Sequence, residues 1–208
     1  MMPIRIVIMA KASVAGFAKT RLIPALGGEG AAQLAKKMLH HTLATALASK
    51  LGSVEICATP DPADSVWQNL DLPSNVIWSA QGEGDLGQRM ARAVARTTRH
   101  GEAILLIGTD CPAIDVFTLH EAAQALQDYD ASLLPTYDGG YALLGLKKFN
   151  ATPFDNMRWS TSTVAQETLK RMQQLGWKTK VLPTLHDIDE TADLHYLPPE
   201  WGYLNLAT

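Results

Sequence analysis

Three cations crowd one short segment near the start of the chain: Lys11, Lys19 and Arg21 flank Gly16 in the stretch Lys11-Ala12-Ser13-Val14-Ala15-Gly16-Phe17-Ala18-Lys19-Thr20-Arg21. Phosphate needs such a set, because backbone N–H groups approach an anion closely while Lys and Arg neutralise it. The plainer alternative is a solvated loop whose cations face water. The segment carries neither the G-x-x-x-x-G-K-[ST] of a P-loop nor the G-x-G-x-x-G of a Rossmann turn. Far along the chain, Gly108-Thr109-Asp110-Cys111-Pro112 offers a carboxylate directly after an apolar run. Magnesium takes one or two carboxylates and keeps the rest of its shell for phosphate oxygen and water, so Asp110 is a candidate ligand. The competing reading is an Asx turn or helix cap ahead of Pro112, although Asp115 is better placed to cap the helix that follows. Asp187 and Asp189 lie two apart in His186-Asp187-Ile188-Asp189-Glu190, so in extended chain both point to one side. Either could supply a second metal carboxylate. Capping of a short helix is the alternative for Asp189, and Asp193 reads as structural.

Other segments carry weaker signals. Gln81-Gly82-Glu83-Gly84-Asp85-Leu86-Gly87-Gln88-Arg89 is a glycine-rich loop opening a helix, a place where an anion can sit. Asp138-Gly139-Gly140-Tyr141 lies between two apolar runs; its glycines permit close ligand approach, and a hairpin turn explains the same pattern. In Arg158-Trp159-Ser160-Thr161 the indole is of a type that stacks a sugar or base, though an isolated Trp more often packs, and Ser160–Ser162 also suits a helix cap. The six histidines form no metal pattern: His40 and His41 are adjacent on a helix and point to different faces. The absence of G-x-S-x-G leaves a serine triad unsupported.

Composition narrows the classes. With 208 residues, 47% hydrophobic and 19% charged, the chain is expected to form one domain, residues 1–208, with an ordinary core. A formal net charge of −3 gives no global reason to bind nucleic acid or an anionic membrane. Cys57 and Cys111 stand apart from any metal or disulfide pattern, so a reducing cytoplasm is the expected location. Met1–Ala10 lacks the apolar region of a signal peptide, and no run has the length of a membrane span.

Positioning these side chains requires elements, and the hydrophobic pattern supplies them. Strands are expected over Ile4–Met9, Val54–Ala58, Asn75–Trp78, Ala103–Ile107, Ala131–Leu134, Tyr141–Leu146 and Lys178–Leu182. Helices are expected over Gly30–Leu51 with Gly52 as its stop, after the cap Asp61-Pro62-Ala63-Asp64, and over Leu86–Arg99, Asp115–Asp128, Ser162–Leu175 and Glu190–Leu197. Strands alternating with helices predict βαβ units and a mostly parallel sheet, with chemistry in the loops at the carboxyl ends of the strands.

Taken together, Met9-Ala10-Lys11-Ala12 with Gly16, Lys19-Thr20-Arg21-Leu22, Gly108-Thr109-Asp110-Cys111-Pro112, Asp138-Gly139-Gly140-Tyr141, Trp159-Ser160-Thr161 and Asp187-Ile188-Asp189 resemble the DUF2064 family. That family belongs to the GT-A-type nucleotide-diphospho-sugar transferase superfamily, whose members include molybdenum-cofactor and F420-pathway nucleotidyltransferases. The resemblance implies a Rossmann-like, three-layer α/β/α sandwich around a mixed, mostly parallel sheet of about seven strands. It implies nucleotide contacts from Lys11, Ala12, Gly16, Lys19, Gln81, Asp85, Gly87, Arg89 and Thr109. Asp110 would bind Mg²⁺ or Mn²⁺, with Asp189, less favourably Asp187, completing the site. On this reading Lys19 and Arg21 hold phosphate and offset developing charge, and Asp138 acts as the base. Gly139, Gly140 and Tyr141 would line the acceptor side, with Trp159 and Thr161 at its rim. The first loop departs from L-x-G-G-x-S-x-R-x-G, and Asp110 has no flanking D-x-D, so nucleotidyl and glycosyl transfer both stay open. The expected partners are a nucleotide or nucleotide-sugar and a small-molecule acceptor; a non-catalytic nucleotide-binding module is the alternative.

Overall fold

Ile4–Lys11 (β1) sets Ile4, Ile6, Ile8 and Ala10 on one face and Val7 and Met9, between Arg5 and Lys11, on the other, so its centre can be covered on both sides. In the computed structural model, which describes residues 2–68 and 70–202, its Ile6 and Ile8 enter one core layer and Val7 the other, all fully buried. The chain continues through α1 (Ile23–Ser49), β2 (Gly52–Thr59), β3 (Ile77–Ala80), α2 (Leu86–Arg99), β4 (Ala103–Ile107) and α3 (Val116–Asp128). It then forms β5 (Ala131–Pro135), β6 (Tyr141–Leu146), α4 (Val164–Gln174) and β7 (Thr179–Val181). The strands make one seven-stranded sheet in the order β3-β2-β1-β4-β6-β5-β7. Only β6 runs against its neighbours. Its link to β5 is a short turn, and a parallel pairing would need a crossover of a dozen or more residues.

Helical spacing selects what covers each face. Leu39, Leu43 and Ala46 of α1 meet Leu119, Ala122 and Leu126 of α3 on the face that carries Ile6 and Leu105. Met90, Ala93 and Val94 of α2 and Ala165 and Met172 of α4 cover the face of Val7, Ile104 and Leu106. Three layers result. On the α2 side, the fully buried Glu55 of β2 accepts from Arg5 (3.0 Å), Ser79 (2.6 Å) and Arg96, so its charge is paired and hydrogen-bonded. Among the described residues, no helix is long and apolar enough to cross a membrane.

Several boundaries differ from the sequence expectation. Helix α1 starts at Ile23 rather than Gly30, with Pro24 in its first turn, and is interrupted where Gly27 adopts φ 70°. It stops at Lys50 in the left-handed conformation (φ 52°); Gly52 is already the first residue of β2, where an added Cβ would lie 1.9 Å from the Ile4 carbonyl oxygen. The segment after Asp61 forms only a 3-10 turn, Ser65–Trp67, capped by Asp64, which accepts from Val66 N at 3.0 Å. Trp67 is drawn into the core against Trp78 there, which leaves no continuous apolar stripe for a longer helix. The expected helix over Glu190–Leu197 is a 3-10 stretch, Thr191–Tyr196, because Pro198 and Pro199 follow and leave no room to propagate i→i−4 bonds.

The caps give a measurable consequence. Asp115 accepts at 2.7 Å from both the N–H and the hydroxyl of Thr118, and these bonds hold its carboxyl below the ordinary 3.8. A carboxyl lowered by folding contributes stability above its unfolded value and loses it as pH falls through the folded one. Asp115→Ala should cost about 1 kcal/mol at neutral pH. In urea melts the gap to the parent protein should narrow as pH falls below the ordinary 3.8 of an aspartate.

Candidate functional site

The sheet order sets the place of the site. From β1 the chain moves outward to β2 and β3, then returns to lay β4 on the other side of β1. At such a switch point the loops leaving the two carboxyl ends open a crevice. The loop after β1 delivers Lys19, held in the left-handed conformation (φ 47°) ahead of the 3-10 turn Thr20–Leu22, whose Leu22 is fully buried. The loop after β4 delivers Asp110. Lys19 Nζ lies 2.6 Å from Asp110 Oδ1 and 3.0 Å from Asp189 Oδ1, and donates to the Ile188 carbonyl at 2.5 Å. The Lys19 side chain is only 7% exposed, whereas the two carboxylates are about half exposed. Burial opposes the Lys19 charge, but Asp110 and Asp189 outweigh it, and the ammonium titrates above its ordinary value. Arg21 stands at the mouth, its guanidinium 3.6 Å from Asp189 and 3.7 Å from Glu190. Lys11 folds back to donate to the Phe17 carbonyl at 2.7 Å.

Asp189 reaches Asp110 because the segment 185–189 is laid along the ends of β4 and β5. Leu185 N donates to Pro135 O (3.1 Å), Tyr137 N to Leu185 O (3.2 Å), and Ile188 N to Asp110 O (2.8 Å). Ile188 is fully buried against Leu22, Leu34, Met38 and Leu194. Asp187 and Asp189 flank that buried side chain. Asp187 lines a recess of about 420 Å³ with Tyr137, Asp138, His186 and Tyr196. Burial pushes its carboxyl up to about 6, and the charges of Asp138, Asp189 and Asp110 add to the effect. The His186 ring is sandwiched between Tyr137 and Tyr196, with centroids 4.0 and 3.5 Å away. The recess shares Arg21 and Asp189 with a cleft of about 340 Å³ lined by Lys11, Lys19, Thr109 and Asp110, a size that suits a small ligand. A larger groove of about 790 Å³ along α4 shares no residue with this cluster.

The other residues singled out in the sequence lie around this centre or apart from it. Ala12 is buried and donates its N–H to Thr59 O (2.9 Å); Gly16 turns the loop at φ 79°. The buried Gln81 amide donates to Ala10 O (3.1 Å) and Cys57 O (2.9 Å), tying β1 to β2. Asp85 caps α2 in a reciprocal pair with Gln88, and Arg89 Nε donates to Gly84 O (2.9 Å). An added Cβ on Gly87 would meet Phe154 O at 2.5 Å and the Trp159 ring at 2.9 Å, so the glycine lets α2 pack under that ring. Asp138 Oδ1 accepts from Thr136 Oγ1 (2.5 Å) and Gly140 N (2.8 Å), which is the hairpin-turn geometry, while the residue also lines the recess. Gly139 has φ 90° and packs so closely that a Cβ would fall 2.0 Å from Ser162 O. Tyr141 aims its hydroxyl at Met90 Sδ (3.9 Å) and, like Trp159, packs on the α2 face; burial raises its pKa. Thr161 is exposed and bonds to Arg158 O (2.9 Å). The structure thus gathers Lys11, Lys19, Arg21, Thr109, Asp110 and Asp189, and sets Tyr141, Trp159 and Thr161 elsewhere.

Comparison with known proteins adds a second line. Residues 42–161, more than half of the chain, match the family described as "Uncharacterized protein conserved in bacteria (DUF2064)". The chain belongs to the DUF2064 family. No curated protein matches it. Among solved structures, the DUF2064 chain is similar to a protein of Desulfovibrio desulfuricans G20 described as a "putative nucleotide-diphospho-sugar transferase". The two are 29% identical with a TM-score of 0.88 over 99% of this chain and 94% of that one. It shares its fold with Mycobacterium tuberculosis H37Rv Rv0371c, solved with manganese (17% identity, TM-score 0.56, 94% and 97% coverage). It also shares its fold with CMP:2-keto-3-deoxy-manno-octonic acid synthetase complexed with CTP (12%, TM-score 0.56, 96% and 98%). The fold is that of the nucleotide-diphospho-sugar transferases.

What the DUF2064 site can hold follows from its donors. Asp110 and Asp189 converge on one cationic atom, and both are hard oxygen ligands, which suits Mg²⁺ or Mn²⁺. Among the described residues no group of three or more Asp, Glu, His or Cys is placed to hold a metal alone. Two carboxylates without a third fit an ion that takes its remaining ligands from phosphate and water. The ring stack of Tyr137, His186 and Tyr196 and the position of Glu190 beside Arg21 escape sequence reasoning, because they join a hairpin turn to a segment far along the chain and no local spacing signals it.

Proposed function

We propose that this protein is a divalent-metal-dependent transferase that takes a nucleotide or nucleotide-sugar and passes a nucleotidyl or glycosyl group to a small-molecule acceptor. One observation carries the proposal: two aspartates from distant segments converge on a single cation at the switch point, beside the exposed Arg21. The likeness to the Desulfovibrio protein supports the reaction class, and the CTP and manganese bound in structures of the same fold support the ligand and the ion.

Asp110 and Asp189 would hold the ion, which supplies charge neutralisation at the phosphate oxygens and leaving group. Lys19, Arg21 and Lys11 bind the phosphates and offset the negative charge that grows as the bond to the leaving phosphate breaks. The acceptor hydroxyl attacks from the side of the recess, and Asp138, with Asp187 beside it, takes its proton.

The test is a thermal-shift panel of nucleotides and nucleotide-sugars with Mg²⁺ or Mn²⁺. A ligand at about 100 times its dissociation constant stabilises by roughly 2.7 kcal/mol. For a chain of this length that is about 5–11 °C in Tm. A panel in which no nucleotide shifts the melt in the presence of metal sinks the proposal. A nucleotide that shifts it but is never turned over with any acceptor leaves the non-catalytic module instead.

A further inference from the structure

We infer that the Lys19 ammonium stands in for the divalent cation in the ligand-free protein and releases the two aspartates only when nucleotide phosphate arrives to receive it. The inference rests on the proposed function and adds a coupling between the two ligands of that same site. Lys19 Nζ contacts one oxygen of each aspartate, at 2.6 and 3.0 Å, with the Ile188 carbonyl as third acceptor at 2.5 Å. The ammonium is therefore fully engaged, and its stem is buried while the carboxylates it holds stay half open to solvent. A divalent cation on the same oxygens would face this charge at close range, so the two cannot share them.

Lys19 has somewhere to go. Its flexible four-carbon stem lines the same cleft as Lys11 and Arg21. Phosphate entering there offers the ammonium a new partner as the metal takes the old ones. Charge explains why the two ligands must come together. Metal alone has to expel an ion-paired ammonium into a cleft that already holds Lys11 and Arg21. Nucleotide alone has to draw Lys19 off two carboxylates and leave them facing phosphate. Arriving as a pair, the ligands leave each charge with an opposite partner. Metal and nucleotide are then positively coupled, and by linkage each raises the other's affinity equally.

Electron paramagnetic resonance of Mn²⁺, read as loss of the free-ion signal, tests this with CTP as the nucleotide and a protein-free CTP titration subtracted. The wild-type protein should take up Mn²⁺ weakly alone, and CTP should tighten uptake by about tenfold or more. Lys19→Met keeps the length and removes the charge; it should bind Mn²⁺ without CTP about tenfold more tightly than wild type, with a smaller further gain from CTP. Adding Mn²⁺ should also raise the Tm of Lys19→Met more than that of wild type, and Asp110→Asn in the Lys19→Met background should cancel both effects. If wild type binds Mn²⁺ equally well with and without CTP, the inference is overturned while the transferase reading stands; that comparison needs no variant. If Lys19→Met folds and binds Mn²⁺ no better than wild type, the inference likewise fails. If no combination binds Mn²⁺, both fall.

Discussion

Asp110→Asn should abolish the metal-dependent part of nucleotide binding while leaving the protein folded. The amide keeps the size of the carboxylate but loses the charge that a hard cation needs. At a nucleotide concentration about 100 times the dissociation constant, the stabilisation lost would be roughly 2.7 kcal/mol. Transfer, once an acceptor is found, should fall by about a hundredfold or more. The fold should tolerate the change, because the bond that pins the C-terminal segment runs from Ile188 N to the Asp110 backbone carbonyl, not its side chain. Lys19 would keep Asp189 and the Ile188 carbonyl as partners. Because Lys19 is buried, losing one of the three contacts of its ammonium should lower ligand-free stability by about 1.5–3 kcal/mol, which a domain of this size survives. A variant that melts far earlier without ligand would make Asp110 a structural residue, and one that keeps its metal dependence would remove it from the site.

The second large effect lies one residue from the second aspartate. Ile188→Ala should cost about 2–5 kcal/mol, the usual range for emptying a filled core position. In Tm this is about 4–20 °C. Ile188 is the fully buried peg between Asp187 and Asp189, seated against Leu22, Leu34, Met38 and Leu194. Emptying that seat also frees the backbone that aims Asp189 at Lys19. Metal-dependent nucleotide stabilisation should then weaken even at temperatures where the variant is fully folded. A loss below about 1 kcal/mol in urea unfolding would show that the segment is held by its hydrogen bonds alone.

How far the architecture can be read from the sequence depends on the range of the forces involved. Local periodicity is enough for β1, β4 and the two faces of the sheet, because a run such as Ala103–Ile107 has no other way to bury both sides. Helix starts at Asp85 and Asp115 follow from capping chemistry within four residues. The nearness of Lys19 to Asp110 follows from strand order, since β1 and β4 are neighbours. Asp189 is different: its place depends on a backbone bond to Asp110 and on a buried isoleucine, and neither leaves a spacing signal. Tyr141 is different again. The pairing register shifts between Leu134 and Pro135, and such irregularities re-aim side chains, so the ring joins the α2 face instead of following the turn that precedes it. Trp159 packs over Gly87, a contact that only the folded chain creates.

The route by which Asp189 arrives has a consequence for biosynthesis. Among the described residues every strand of the sheet precedes residue 189, so the segment that carries Asp189 is synthesised after the scaffold on which it docks. The second carboxylate comes last and is pinned to the first by the Ile188–Asp110 bond. A nascent chain halted before that point carries the basic loop and one acidic group, yet lacks the pair that grips a cation. The pairing of Asp110 and Asp189 around Lys19 therefore exists only once that last anchoring segment has joined the sheet.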